Sequence, residues 1–121
     1  MPSAPVLDRP AIAKAAQVTV TVGADEAIVC SPDPIDVKRG QTIVEFRLAT
    51  PGYVFRQRNA IVVTDPGRDF PVPPVTSPDG TVVTLRDRRL DSREYKYSVY
   101  LVQVSTGKVI CVDPTIRNEP D

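Results

Sequence analysis

The chain has 121 residues, 41% of them hydrophobic, and its fifteen basic and fifteen acidic side chains give zero formal charge. This length fits one globular domain, and the balanced charge favours neither a nucleic acid nor a membrane surface as partner. The chain contains no histidine, which excludes Ser-His-Asp and Cys-His catalysis and the two-imidazole blue-copper centre.

Residues 1–16 hold three prolines and several small residues without a strand pattern. We predict a flexible tail there, with one helical turn over 11–17 as the alternative. The first ten residues lack the basic and apolar regions of a signal peptide. The compartment stays open: cytoplasmic, or periplasmic or secreted if a leader was removed. No stretch is apolar for long enough to predict a membrane span.

Alternating apolar and polar residues begin at Val18, and Thr42 to Leu48 is the clearest strand, with Val44, Phe46 and Leu48 directed inward. A long extended loop is predicted over 64–80, where five prolines remove backbone donors. Seven to nine short strands are predicted, at 18–22, 27–30, 35–37, 42–48, 53–55, 61–63, 81–85, 95–104 and 108–112.

Turn signals every eight to twelve residues are typical of a β-sandwich. The fold class predicted is all-β: a single antiparallel Greek-key sandwich over 17–118, followed by a short tail at 119–121.

The run from Leu85 to Tyr97 resembles the E–F corner of immunoglobulin-like domains, which carry Asp-x-x-x-Tyr-x-Cys there. The resemblance implies that Asp91 is the turn residue and that Tyr95 is the corner tyrosine, its hydroxyl bonded to nearby backbone. Tyr97 stands where those domains have the disulfide cysteine, so their inter-sheet disulfide is absent.

Residues 34–46, with a proline, an alternating strand and a glycine turn, resemble the early strands of cupredoxin-like domains, and 95–99 sits where those domains place a core strand. The copper ligands are missing, so the resemblance implies a metal-free relative. Small uncharacterised bacterial domains that close with Asp-Pro-Thr-Ile-x-Asn, here 113–118, are also similar. They imply an architecture and no activity.

Cys30 and Cys111 each precede an Asp-Pro step. First and last strands often lie side by side in a sandwich, so the sequence permits a disulfide between them, worth about 4–5 kcal/mol by loop entropy. Two buried free thiols are the other interpretation, because free cysteine is a common small core residue.

Three further sets of residues carry weaker signals. A basic cluster at the presumed corner is either an anion patch or a solvated surface with local ion pairs; it comprises Arg86, Arg88, Arg89 and Arg93. The P-x-x-P loop is either a binding loop or a cover for a sheet edge; its residues are Phe70, Pro71, Pro73 and Pro74. Five acids at turns are either a calcium site or structural turn residues; they are Asp25, Glu26, Asp33, Asp36 and Asp113.

No catalytic constellation is visible, so we predict a non-catalytic binding or structural module without metal or cofactor, which contacts an unknown protein partner through loops or a sheet face. One alternative is a subunit that pairs edge strands, as a monomer in equilibrium with a weak homo-oligomer. Another is a hydrolase-like enzyme that uses a pair of carboxylates.

Overall fold

A computed structural model describes residues 15–120, and this part of the chain is all-β, as predicted. It contains eleven strands, one short 3-10 turn at Ala24–Glu26 and no α-helix. The first strands are β1 (Ala15–Val22), β2 (Ile28–Ser31), β3 (Ile35–Val37), β4 (Ile43–Leu48), β5 (Tyr53–Phe55) and β6 (Ile61–Val63). The remaining strands are β7 (Val75–Thr76), β8 (Val82–Arg86), β9 (Glu94–Gln103), β10 (Val109–Val112) and β11 (Thr115–Asn118).

The strands form two sheets, consistent with a β-sandwich. The first sheet has the order β2-β1-β4-β8-β7. In the second, β9 is central: β10 and β11 follow one another along one side of it, β5 and β6 along the other, and β3 pairs with β11. The expectation of antiparallel sheets needs correction, because β1 is parallel to β4 and β3 is parallel to β11, so both sheets are mixed.

The chain segment that contains β2 and β3 is divided between the two sheets. Its first half, β2, pairs with β1, and its second half, β3, pairs with β11. The Ser-Pro-Asp-Pro sequence at 31–34 separates them, because proline has no N–H to continue a ladder. As a consequence, no strand in the described part of the chain pairs with β10 on its outer side, although β2 lies close to it.

The core lies between the sheets and follows the predicted alternation. Val44 and Phe46 of β4 are fully buried, as are Tyr95 and Tyr97 of β9. Large side chains of this kind each contribute about 1.5–3 kcal/mol when removed from water. The rings of Phe46 and Tyr97 meet at 5.5 Å between centroids.

Three boundaries differ from the sequence prediction. β1 begins at Ala15, so residues 15 and 16 belong to a strand and not to a tail or helical turn; the rest of the predicted tail, and residue 121, lie outside the described residues. The loop at 64–80 contains the two-residue strand β7, and 115–118 form β11. Propensity misses β7 because only two residues of a proline-rich segment pair with β8, and it misses β11 because one of its partners, β3, is distant in sequence.

Candidate functional site

A buried aspartate lies in the loop between β6 and β7. Asp69 is 0% exposed, and its carboxylate accepts four hydrogen bonds. The donors are Leu90 N (2.6 Å), Asp91 N (3.2 Å), Tyr95 Oη (2.6 Å) and Asn118 Nδ2 (3.1 Å). A carboxylate withdrawn from water is tolerated only with such partners. These bonds fasten the loop of Asp69 to the turn after β8, to β9 and to the last strand.

A second buried carboxylate, Asp87, directly follows β8. Its Oδ1 accepts hydrogen bonds from Arg89 N (2.9 Å) and Asn118 Nδ2 (3.0 Å), so the Asn118 amide bridges both acids. Burial raises the pKa of Asp87 to about 6, although these two hydrogen bonds act in the opposite direction. Among the described residues, Asp87 Oδ2 and Asn118 Oδ1 have no hydrogen-bond partner. Both atoms are acceptors when Asp87 is ionised, so the site favours a proton on this carboxyl.

The corner tyrosine is buried but bonds differently from the expectation. The Tyr95 hydroxyl donates to the Asp69 side chain, 26 residues upstream, where the immunoglobulin-like resemblance implied nearby backbone. Burial and this hydrogen bond raise the pKa of Tyr95. Asp91, the predicted turn residue, donates its backbone N–H to Asp69 and pairs its side chain with Arg68 at 2.9 Å on the surface. The Arg68 guanidinium lowers the pKa of Asp91.

We call Asp69, Asp87, Tyr95 and Asn118 the acidic corner. Both carboxylates are 0% exposed, so no substrate reaches them in this structure. All the hydrogen bonds that the carboxylates accept come from the protein itself. The corner therefore acts as a clamp between the long loop and the C-terminal strand, and it does not present an acid–base pair to solvent.

The proline-rich segment begins as an anchor and continues as an exposed ridge. The Phe70 ring packs edge-on against Tyr95, with centroids 4.9 Å apart. Beyond it, Val72 is 49% exposed and Val75 is 68% exposed, and Val62 of β6 is 41% exposed. Val72 lines one depression with Val62 and another with Val75, so the three side chains share one surface. We call Val62, Val72 and Val75, with the exposed Pro71 and Pro73, the valine ridge.

The groove on one side of the ridge combines apolar walls with a cation. Its volume is about 370 Å³. The lining residues are Thr42, Ile43, Val72, Pro73, Val75, Thr84 and Arg86. Among residues 15–120, no carboxylate forms an ion pair with Arg86.

The four arginines of the predicted anion patch have separate environments. Arg86 lines the groove beside the ridge, and Arg88 is exposed. Arg89 donates to the Val37 and Glu119 carbonyl oxygens at 3.1 and 2.6 Å. Arg93 stacks on the Tyr95 ring at 4.3 Å and pairs with Asp65 at 3.6 Å. Because Arg89 and Arg93 are engaged in contacts within the fold, the four arginines do not form a common anion site.

The possible bridge between the two cysteines is absent. Both are free thiols, Cys30 buried and Cys111 exposed. Burial, with a smaller effect of Asp33, raises the pKa of Cys30 to about 11, so it stays protonated and unreactive at neutral pH. The Tyr97 hydroxyl is buried beside this thiol, which bonds only weakly, and it makes no hydrogen bond of ordinary geometry in the described part of the chain.

The five acids considered for a calcium site do not converge on a common point, and four of them bind separate protein groups. Glu26 pairs with Lys108 at 2.7 Å and Asp36 with Arg117 at 2.6 Å. Asp33 accepts the Thr115 backbone N–H and Asp113 accepts the Ser98 hydroxyl. No group of three candidate metal ligands occurs among the described residues.

Sequence reasoning missed three members of the acidic corner: Asp69, Asp87 and Asn118. Asp69 and Asp87 lie next to prolines or arginines in polar segments, where an exposed turn residue is the normal expectation. Only Tyr95 carried a signal, as the corner tyrosine implied by the immunoglobulin-like resemblance. Their burial depends on long-range packing that a local pattern does not encode.

Comparison with known proteins returned no match: no family model fits the chain, and no characterised protein matches its sequence.

The described part of the chain contains no helix with the length and apolar character to cross a membrane.

Proposed function

We propose that this domain is a non-catalytic binding module that docks a partner protein through the valine ridge. The observation that carries the proposal is the exposure of Val72 and Val75 on either side of fixed prolines, next to the groove that contains Arg86. Contiguous exposed apolar surface with a polar rim is typical of interaction sites.

The anchored base of the loop supports this interpretation. Asp69 and Phe70 are bound into the fold immediately before the ridge begins. A loop held in one conformation pays little ordering entropy when a partner binds. The acidic corner thus holds the valine ridge in place as a preorganised contact surface.

The groove indicates the chemistry of the partner. Ile43, Val72 and Val75 offer apolar contacts, and Arg86 has no internal carboxylate partner among residues 15–120. The segment that fits places an aliphatic side chain in the groove and an aspartate or glutamate against the guanidinium.

We also propose that the sandwich is cupredoxin-like and not immunoglobulin-like. Constant-type immunoglobulin sheets are antiparallel, whereas here β1 pairs in parallel with β4 and β3 with β11. An experimental structure with β1 antiparallel to β4 would contradict this assignment.

The binding proposal is tested with a displayed random peptide library selected against the whole chain. The enriched peptides are then measured by titration against three variants: Val72→Ser with Val75→Ser, Arg86→Gln, and Val29→Ser. Val29 is 52% exposed on β2, at the opposite edge of the first sheet, and is the matched control.

We expect peptides with an aliphatic residue beside an acid, bound about tenfold or more weakly by the double variant and by Arg86→Gln. The Val29→Ser control should bind as the wild type does. Peptides that bind the double variant equally well, or selection that yields no ridge-dependent binder, would overturn the proposal.

A further inference from the structure

We propose that two copies of this chain associate through β10, which pairs antiparallel with β10 of the second copy about a two-fold axis at Cys111. This inference is independent of the valine ridge, because Val75 of the ridge lies on β7, an edge strand of the first sheet, whereas β10 belongs to the second sheet.

The outer edge of β10 is open because the chain segment that contains β2 and β3 changes sheets. β3 covers the edge of β11, whereas β2, the preceding half, pairs with β1 instead. Within residues 15–120, no strand hydrogen-bonds to the outer edge of β10; β2 lies close to β10 but pairs with β1.

The backbone hydrogen bonds between β10 and β9 show which N–H and C=O groups of β10 remain available to a second copy. Gln103 N donates to Lys108 O at 2.8 Å, and Tyr97 N donates to Pro114 O at 3.0 Å. In an antiparallel ladder the bonded positions alternate. Even-numbered residues of β10 therefore bond to β9, and Val109 and Cys111 direct their N–H and C=O groups away from it.

The side chains also leave this edge incomplete. Val109 is 48% exposed, and the inward-facing Ile110 and Val112 pack on the core but are only partly buried. β10 has no charged residue and no proline, the devices that normally protect an edge. β2 differs, since its inward Ile28 and Cys30 are already buried.

A two-fold axis at Cys111 matches these features. Cys111 then lies opposite the partner's Cys111, and Val109 opposite the partner's Asp113, so each copy's outward groups meet those of the other. Antiparallel pairing also sets the Lys108 end of one strand against the Asp113 end of the other, which keeps like charges apart. Closed isologous pairing of this kind uses the β10 edge of both copies, so this contact stops at two chains.

The first experiment is sedimentation of the whole reduced chain from about 5 to 500 µM, a range that covers weak dimers. We expect a concentration-dependent dimer. Cys111→Pro removes an outward N–H without touching the ladder to β9 and should leave only monomer. Val109→Lys, at an exposed position, should also leave only monomer, and it replaces the proline variant if that variant fails to fold. Val75→Lys, on the β7 edge of the first sheet, should dimerise as the wild type does.

The second experiment tests the register by diamide oxidation of the Cys30→Ala chain, in which Cys111 is the remaining thiol. Opposed residues of a bonded pair have Cα atoms about 5.5 Å apart, within disulfide range, so we expect a covalent dimer that Cys111→Ser abolishes. A chain that stays monomeric at every concentration, or a dimer that both β10 variants leave intact, overturns the proposal. A dimer that diamide fails to link overturns the axis at Cys111.

Discussion

The loop between β6 and β7 has two halves with opposite surroundings. Asp69, a charged residue, is 0% exposed, and Val75, an apolar residue six positions later, is 68% exposed. The usual preference of these residue types is reversed in both places. The hydrogen bonds of the buried Asp69 hold the loop in place, and the exposed valines that follow therefore lie on a fixed surface.

The largest effect is expected from Asp69→Ala. Removing the carboxylate leaves the Tyr95 hydroxyl, the Asn118 amide and two backbone N–H groups without their acceptor. We expect a loss of about 3–5 kcal/mol in the free energy of unfolding, measured by urea denaturation. Asp91→Ala, which removes an exposed ion pair, is the control and should barely move the midpoint. Equal midpoints for the two variants would show that the acidic corner is not a clamp.

Two tyrosines on β9 sharpen the comparison because the same substitution should act differently at each. Tyr95→Phe removes a 2.6 Å hydrogen bond to Asp69 and should cost about 1–2 kcal/mol. Tyr97→Phe removes a buried hydroxyl that lies beside the Cys30 thiol, a weakly hydrogen-bonding group, and makes no hydrogen bond of ordinary geometry among the described residues, so its effect should be neutral or stabilising. Thermal unfolding of both variants decides the matter, and a larger loss at Tyr97 would contradict the assigned contacts.

Asp87 should make the stability fall as the pH rises. Its pKa is about 6 in the folded chain against 3.8 for the free side chain, so between pH 4 and 6 the folded state holds more protons than the unfolded state. The contribution is present below pH 4 and is lost as the pH passes 6. Asp87→Asn should remove this slope and stabilise the chain by about 1 kcal/mol at pH 7.5.

The measurement is the free energy of unfolding of both proteins from pH 4 to 7.5. The difference between them isolates Asp87 from acids such as Asp36, whose pKa is lowered by Arg117 and which acts in the opposite direction below pH 4. A difference that stays constant with pH would mean that folding does not shift the pKa of Asp87.

The smallest effect on stability is expected on the exposed half of the loop. Val72→Ser and Val75→Ser should each change the free energy of unfolding by less than about 0.5 kcal/mol, because these side chains leave little apolar area buried. Chemical denaturation tests this. A loss comparable to that of Asp69→Ala would mean that the ridge is part of the core and not a free surface.

The amino-acid sequence by itself determined the fold class and the interior of the central strands. Val44, Phe46 and Leu48 are predicted inside by alternation of period two; the first two are buried, and Leu48, at the end of its strand, is partly buried against the core. Local alternation suffices for this because a side chain's face on a strand depends only on its neighbours along the chain.

Only the tertiary structure decided that Asp69, Asp87 and Asn118 meet, that β1 runs parallel to β4, and that the outer edge of β10 stays open. These features join residues 18 to 49 positions apart, or follow from which sheet a strand segment enters. Burial of an aspartate costs free energy unless distant donors arrive together. No local pattern carries that information, so the acidic corner becomes visible only once the chain has folded.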